Sequence, residues 1–319
     1  MKKIGYFPPP SEKNSYTIRM RDLLGQFGDV TPLSPKNWKN TIFSKNKYDI
    51  IVFNWLENRC FGKDGKFKFL SFIISMLWFS MMRYSSRNII YVRHNVYPHN
   101  IYDGNKNLSV KIMDYFESKS SHTIVHSKSA CSAGRIYVPH PLYDLRSVYP
   151  VNEIDEEMYF VCFGRIEKYK KLDELIKSWP LDLKLIVAGS SDDKDYCFQL
   201  KALAAGKKIE IVDKFISDEE AYNLVSRAEY SILPSDSKSM IVSGSFFFSI
   251  SAGTPVIAVK SDFYNSLNVY NSELILVNGI GDIGVALQNL PKKQKIMSSE
   301  FMSQFSDDAI IKSLRVIIK

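Results

Sequence analysis

The segment FGRIEKYKKLDELIKSW, residues 163–179, puts Gly164, Arg165 and Lys170 between a short apolar run and a helical pattern that begins near Leu172. A glycine at a strand end lets the backbone turn tightly. Arg165 and Lys170 then both fall in the loop above a sheet. Two fixed cations there can bind a diphosphate and stabilise the charge that grows on it as it departs. Further on, SMIVSGSFFFSISAGTPVIAV, residues 239–259, sets Ser243, Gly244 and Ser245 at the start of an apolar helix that stops at Gly253 and Pro255. Free N–H groups and the positive end of the helix dipole make an anion site at such a terminus. A capped core helix would use the same residues, and the two roles are compatible.

The first half of the chain carries groups suited to proton transfer. Trp55-Leu56-Glu57 closes one apolar run, and His94-Asn95-Val96-Tyr97-Pro98-His99 follows another. Open parallel sheets place ligands at the carboxyl ends of their strands. A transfer to a hydroxyl by direct displacement needs a general base within hydrogen-bond reach of it. Glu57 and His94 are both candidates, and the spacing does not separate them; His99, His140 and Asp103 are weaker ones. The Asn14-Ser15-Tyr16 turn after the first apolar run faces the same edge. No DxD-like acid pair sits at a strand end, and Asp192-Asp193, in a lysine-containing loop, reads as solvated surface. No metal or other cofactor is expected, with Arg165 and Lys170 taking the ion's place.

These groups need sheets to hold them. Short apolar runs alternate with helical stretches, the signature of parallel α/β structure. KKIGYF, YDIIVFNW, NIIYVRHN, HTIVHS and GRIYVPHP read as strands of one Rossmann-like domain over 1–142. Residues 143–157 hold a proline, several acids and no period, and read as a linker. MYFVCFG, LKLIVAG, KIEIVDKF, YSILPS, TPVIAV and SELILV then give a second such domain over 158–301. No solenoid period or low-complexity tract interrupts them.

With 319 residues, two domains are the better expectation. Four scattered cysteines without CxxC spacing suggest neither a zinc site nor a disulfide framework, which fits a reducing cytoplasm. The opening MKKIGYFPPP reads against a secretory signal, because the apolar stretch ends at three prolines. The formal net charge of +8 suits anionic partners, but no zinc-finger or RRM-type motif points to nucleic acid. Phe67–Met82, FKFLSFIISMLWFSMM, is too short to span a bilayer. Apolar on most sides and flanked by Lys63, Lys66, Arg83 and Arg87, it reads as a helix with one face on the core. The other is expected on an acidic membrane surface, with Trp78 and Phe79 among the inserting residues.

The strand–GR–x4–K–helix and helix–AGTPVIA segments resemble the donor half of GT-B glycosyltransferases of the large family 4 type. The order GR–x4–K, VAG, Asp213-Lys214-Phe215, SILPS, AGTPVIA is similar throughout 158–260. The resemblance implies two Rossmann-like domains facing across a cleft and a final helix, 302–319, returning to the first. It implies base contacts at Phe215 and Ile216, and diphosphate contacts at Arg165, Lys170 and Ser243–Ser245. Retaining members carry two glutamates, for the donor sugar and the ribose, where this chain has Met240 and Phe248. NSYTIRMRDLL, IIVFNWLEN, YVRHNVYPHN and YVPHPLYD resemble bacterial exopolysaccharide transferases related to the inverting β-mannosyltransferases. That likeness implies an inverting hexosyltransferase using a nucleotide diphosphate sugar such as GDP-mannose. It also implies a lipid-linked oligosaccharide acceptor at the inner membrane face, in surface polysaccharide synthesis. A retaining enzyme using a UDP-sugar, or a silent GT-B subunit that only binds nucleotide, are the competing expectations.

Overall fold

The computed structural model describes all residues except 13, 38–47, 99–100, 133, 146–156, 236–238, 268–272, 291–296 and 319. The chain divides into two compact units, one of Met1–Pro141, Lys238–Val242 and Phe305–Lys319, the other of Leu142–Ser237 and Ser243–Gln304. Most of the expected linker, 143–157, lies outside the described residues.

In the first unit, β1 (Lys2–Phe7), α1 (Ser15–Gly25), β2 (Gly28–Pro32), β3 (Tyr48–Asn54), α2 (Phe69–Tyr84), β4 (Ser86–Val92), α3 (Lys106–Ser118), β5 (His122–Val125) and β6 (Arg135–Tyr137) follow one another. The six strands form one parallel sheet in the order β2-β1-β3-β4-β5-β6. Strand β2 is not visible in the apolar pattern, since GDVTP has one large apolar residue. It survives as a strand because it is an edge, where a closing proline costs no ladder bond. The helix Asp307–Ile317 belongs to this unit and is tied to α1 by the 2.6 Å Arg19–Asp307 ion pair.

Helix α2 is two-faced. Trp78 and Phe79 are buried against Phe7, Phe53 and Phe116 in the core. They are therefore core residues, which corrects the expectation that they insert into a membrane. Each such ring removes 150–250 Å² from water, roughly 3–5 kcal/mol by the usual truncation cost, so the sheet claims them first. Phe69, Leu70 and Leu77 are 70%, 72% and 60% exposed, and Ile73 and Ile74 lie beside them. No helix among the described residues is long and apolar enough to cross a membrane.

In the second unit, β7 (Tyr159–Phe163), α4 (Leu172–Ser178), β8 (Lys184–Ala188), α5 (Lys194–Ala204), β9 (Ile209–Val212), α6 (Asp218–Arg227), β10 (Ser231–Leu233), α7 (Gly244–Ala252), β11 (Val256–Val259) and β12 (Leu274–Val277) build a second parallel sheet. Its order is β12-β11-β10-β7-β8-β9. The strand sequences YFVCF, KLIVA and VIAV are almost continuously apolar, as helices on both faces require. One face packs Trp179, Tyr196 and Leu200, the other Tyr222, Val225 and Phe248. Helix α7 is capped by Ser243, whose oxygen accepts from the Phe246 N–H at 3.2 Å, and stops at Gly253 in the left-handed conformation.

Candidate functional site

In the first unit the polar residues gather at the carboxyl ends of β1, β3, β4, β5 and β6. Asn54, the last residue of β3, donates from Nδ2 to the Phe7 carbonyl at the end of β1, 3.0 Å away. Its Oδ1 lies 3.0 Å from Nε2 of His94, two residues past β4. His94 stacks on Trp55 with ring centroids 4.0 Å apart and planes within 16°. Trp55 holds a left-handed backbone, φ 48°, which costs a bulky residue ~1–3 kcal/mol and is tolerated where surroundings fix it. Tyr16 of α1 meets both His94 and His126 edge-on, and its hydroxyl lies 2.8 Å from His126 Nε2. Nδ1 of His126 donates to the Val138 carbonyl at 2.8 Å, and Nδ1 of His140 to that of Pro141 at 2.8 Å. Burial, then the neighbouring His126 and His140, hold His94 well below the ordinary histidine range, and burial drives His126 down to about 4. These imidazoles are neutral at neutral pH.

The two base candidates thus sit in different settings. The Glu57 side chain is buried, and Oε2 accepts from the Tyr91 hydroxyl at 2.8 Å. Burial raises its carboxyl pKa, against weaker lowering by hydrogen bonds and by Arg93. Arg93, also buried, donates from Nη1 to Asp114 and Glu117 at 2.6 Å each and from Nη2 to the Val96 carbonyl. That anchor holds the turn on which His94 stands. Asn95 bridges to Met240, and the Val96 N–H donates to the Ser239 carbonyl at 2.9 Å. Asp103 is exposed and pairs with Lys106; His99 lies outside the described residues.

In the second unit, Gly164 ends β7 at φ 116°, and a Cβ there would stand 2.7 Å from Ser245 Oγ and 2.9 Å from Lys170 Nζ. Gly189, after β8, approaches so closely that its Cβ would lie 2.2 Å from the Gly164 carbonyl oxygen. Two glycines therefore let Lys170 Nζ, Ser245 Oγ at the start of α7 and the Gly164 backbone come close together. The half-buried Lys170 ammonium has no hydrogen-bonded or ion-paired partner among the described residues, and burial lowers its pKa. Arg165 differs: it is half exposed, and it donates from Nε to Glu167 at 2.5 Å and from Nη2 to Asp192 at 2.8 Å. Asp192 and Asp193 are therefore engaged rather than merely solvated. Asp193 caps α5 through the Tyr196 N–H and pairs with Lys168. Phe215 is 58% exposed, while Ile216 packs against the core face of α6. At Phe248, the ring is buried against Phe163 and Tyr143, with centroids 4.7 and 5.9 Å away. Among the described residues no three His, Cys, Asp or Glu side chains are grouped to hold a metal ion.

Reading the sequence alone passes over Asn54 and His126. Their signal was positional: each falls at or just beyond the last residue of a parallel strand, as His94 does.

Residues 149–279 match the family described as glycosyl transferases group 1. No curated protein matches the sequence. Among solved structures, Thermosynechococcus elongatus sucrose-phosphate synthase is similar with TM-score 0.65 at 14% identity, over 100% of this chain and 95% of that one. Anabaena HepE in complex with UDP and glucose gives 0.61 at 12% identity, over 100% and 97%. The lipopolysaccharide outer core galactosyltransferase WaaB gives 0.60 at 13%, over 99% of both. Two parallel six-stranded sheets matching these structures are the GT-B fold. The second half thus carries a glycosyl transferases group 1 domain, and the likeness to solved structures shows the GT-B fold.

The setting of Glu57 has a pH consequence. A carboxyl whose folded pKa lies above its unfolded value, ordinarily 4.5, stabilises the fold below that pH, and that stability is lost as pH rises. Glu57→Gln removes the titration. Its melting temperature relative to wild type should therefore rise between about pH 5 and pH 8 by differential scanning calorimetry. A difference that falls with pH would show a carboxylate stabilised by its surroundings instead.

Proposed function

We propose that this chain is a glycosyltransferase, specifically an inverting, metal-independent hexosyltransferase. It takes a nucleotide diphosphate sugar as donor and a lipid-linked oligosaccharide as acceptor, in surface polysaccharide synthesis. The observation that carries the reading is the Lys170 ammonium, which has no hydrogen-bonded or ion-paired partner among the described residues and lies beside Gly164, Ser245 and the start of α7. A half-buried cation without a close ion pair costs stability, and a diphosphate is an anion that suits a lysine, a hydroxyl and helix N–H groups brought together. Arg165 adds charge at the rim, already shared with Glu167 and Asp192. Phe215 offers an exposed ring for the base.

The proton acceptor in this reading is His94. Glu57 is hydrogen-bonded to Tyr91 and enclosed in the core, so it supports the strand end from within. Phe248 stands in an aromatic cluster where the resemblance to retaining enzymes calls for a carboxylate, which favours inversion. GDP-mannose is the first donor to test, from the likeness of the N-terminal segments to β-mannosyltransferases. A UDP-sugar is the second, because HepE is similar in fold and its structures hold UDP and UDP-glucose.

The exposed face of α2 supports work at a membrane surface on the cytoplasmic side. Phe69, Leu70, Ile73, Ile74 and Leu77 present apolar area, and the nearby Lys63, Lys66, Lys68, Arg83 and Arg87 each add about 1 kcal/mol on an anionic leaflet.

Three outcomes test this. Lys170→Met should leave the melting temperature unchanged or raised, since it removes a buried charge. It should also lose the thermal shift given by the best of GDP, UDP, ADP and dTDP, with kcat/KM down by roughly 10–100-fold, the worth of one charge-assisted hydrogen bond. Undiminished nucleotide binding in that variant removes the diphosphate site. NMR of the product's anomeric carbon should show inversion; retention overturns the displacement mechanism. Co-sedimentation with anionic vesicles should exceed that with neutral ones, weaken with salt, and fall in Leu70→Ser. Equal binding to both vesicle types refutes the electrostatic contribution.

A further inference from the structure

The hydrogen bonds around His94 fix which of its two nitrogens carries the proton. The Phe7 carbonyl can only accept, so the Asn54 atom 3.0 Å from it is the amide nitrogen. The other atom of that amide is therefore oxygen, and it too can only accept. It lies 3.0 Å from Nε2 of His94, so Nε2 must be the N–H. A neutral imidazole has one such proton, and the lone pair is left on Nδ1.

A second chain of bonds protects that assignment. His126 donates from Nδ1 to the Val138 carbonyl, so its Nε2 is an acceptor and takes the Tyr16 hydroxyl proton at 2.8 Å. Tyr16 has no other proton to give to Asn54 Oδ1, which is 3.4 Å away. The Asn54 oxygen is thus left to His94. Stacking on Trp55 at 4.0 Å and edge contact with Tyr16 at 4.9 Å keep the ring from turning over. The titratable groups facing His94 are Tyr16 from α1, His126 beyond β5 and His140 beyond β6. Tyr16 is held as a donor, and both histidines disfavour a proton on His94. Among the described residues no carboxylate touches the ring.

We propose that Asn54 is a positioning residue: it locks His94 as the Nε2–H tautomer and so presents Nδ1 as the proton acceptor. This rests on the reading of His94 as the base. In the step it serves, the acceptor oxygen bonds to the anomeric carbon. The bond from that carbon to the phosphate oxygen breaks, and its electron pair leaves with the nucleoside diphosphate. The hydroxyl proton moves to His94 Nδ1. The imidazolium so formed keeps its Nε2–H on the Asn54 oxygen, which delocalises the charge until the proton passes to water.

The test needs no turnover for its first arm. In protein labelled with 15N at histidine, the His94 signals, assigned by their loss in His94→Gln, should show a protonated Nε2 and an unprotonated Nδ1. An Nδ1–H tautomer overturns the proposal. Asn54→Leu should give a mixture of tautomers and lower kcat with little change in donor KM. A folded Asn54→Leu protein with the wild-type tautomer and kcat overturns it as well. Asn54→Asp puts a carboxylate at Nε2–H, so it should raise the His94 pKa and move the acid limb of kcat/KM up by roughly one unit or more. An unmoved limb counts against the coupling, and this variant decides the matter if Asn54→Leu does not fold. Should His94→Gln keep full turnover, the reading of His94 as base fails by itself, while the tautomer measurement still decides the role of Asn54.

Discussion

Parallel pairing brings every strand of a sheet to its carboxyl end on the same edge, and each of these two sheets is wholly parallel. The backbone groups that leave the ladder there must find other partners, and so must the side chains the strands deliver. In the first unit the solution is a set of aromatic and amide groups bonded to one another and to the carbonyls of residues 7 and 138. In the second it is glycine: Gly189 lets the Gly164 backbone approach, and the space left by the missing side chain of Gly164 is taken by Lys170 and Ser245. The same geometric demand is met by a buried hydrogen-bond network in one unit and by close backbone approach beside a lysine and a serine in the other.

The strength of the two devices differs in kind. The His94 network is buried, where hydrogen bonds count for more and an unpaired group costs about 1–3 kcal/mol, so it specifies one arrangement. Arg93 extends it outward, tying the turn after β4 to Asp114 and Glu117 on α3. The Lys170 ammonium has no hydrogen bond or ion pair among the described residues, and burial lowers its pKa against a weaker opposing pull from Glu167. Arg165 cannot be equated with Lys170 although both were legible as a pair. Its guanidinium is half exposed and already shared between two carboxylates, so the phosphate of the proposed donor would have to compete for it.

Most elements were legible, because parallel strands buried on both faces read as short apolar runs and their helices as periodic ones. Strand β2 escaped because an edge strand needs little apolar content. Trp78 and Phe79 were misplaced for a related reason. A helix apolar on most sides gives no phase, and only the sheet beneath α2 decides which residues it covers. Among the candidate residues, His94 and Lys170 stand out in the sequence because they are common catalytic types. Asn54 does not, since an asparagine in an apolar run carries no sign that its amide is oriented by a carbonyl 47 positions away.

Positions 240 and 248 show how a site can change character without losing its fold. Phe248 is 6% exposed, and its ring lies between Phe163 at the end of β7 and Tyr143. A carboxylate there would be buried among rings, at a cost of several kcal/mol unless paired. Met240 stands in a segment that bonds to Asn95, next to the proposed base. The two places where related enzymes need acids are thus given over to aromatic packing and to backbone pairing. A chain built this way has no carboxylate at either position to face the donor. In the proposed reading, Lys170 of the second unit receives the leaving charge and the neutral His94 of the first receives the proton, the two tasks a single displacement sets.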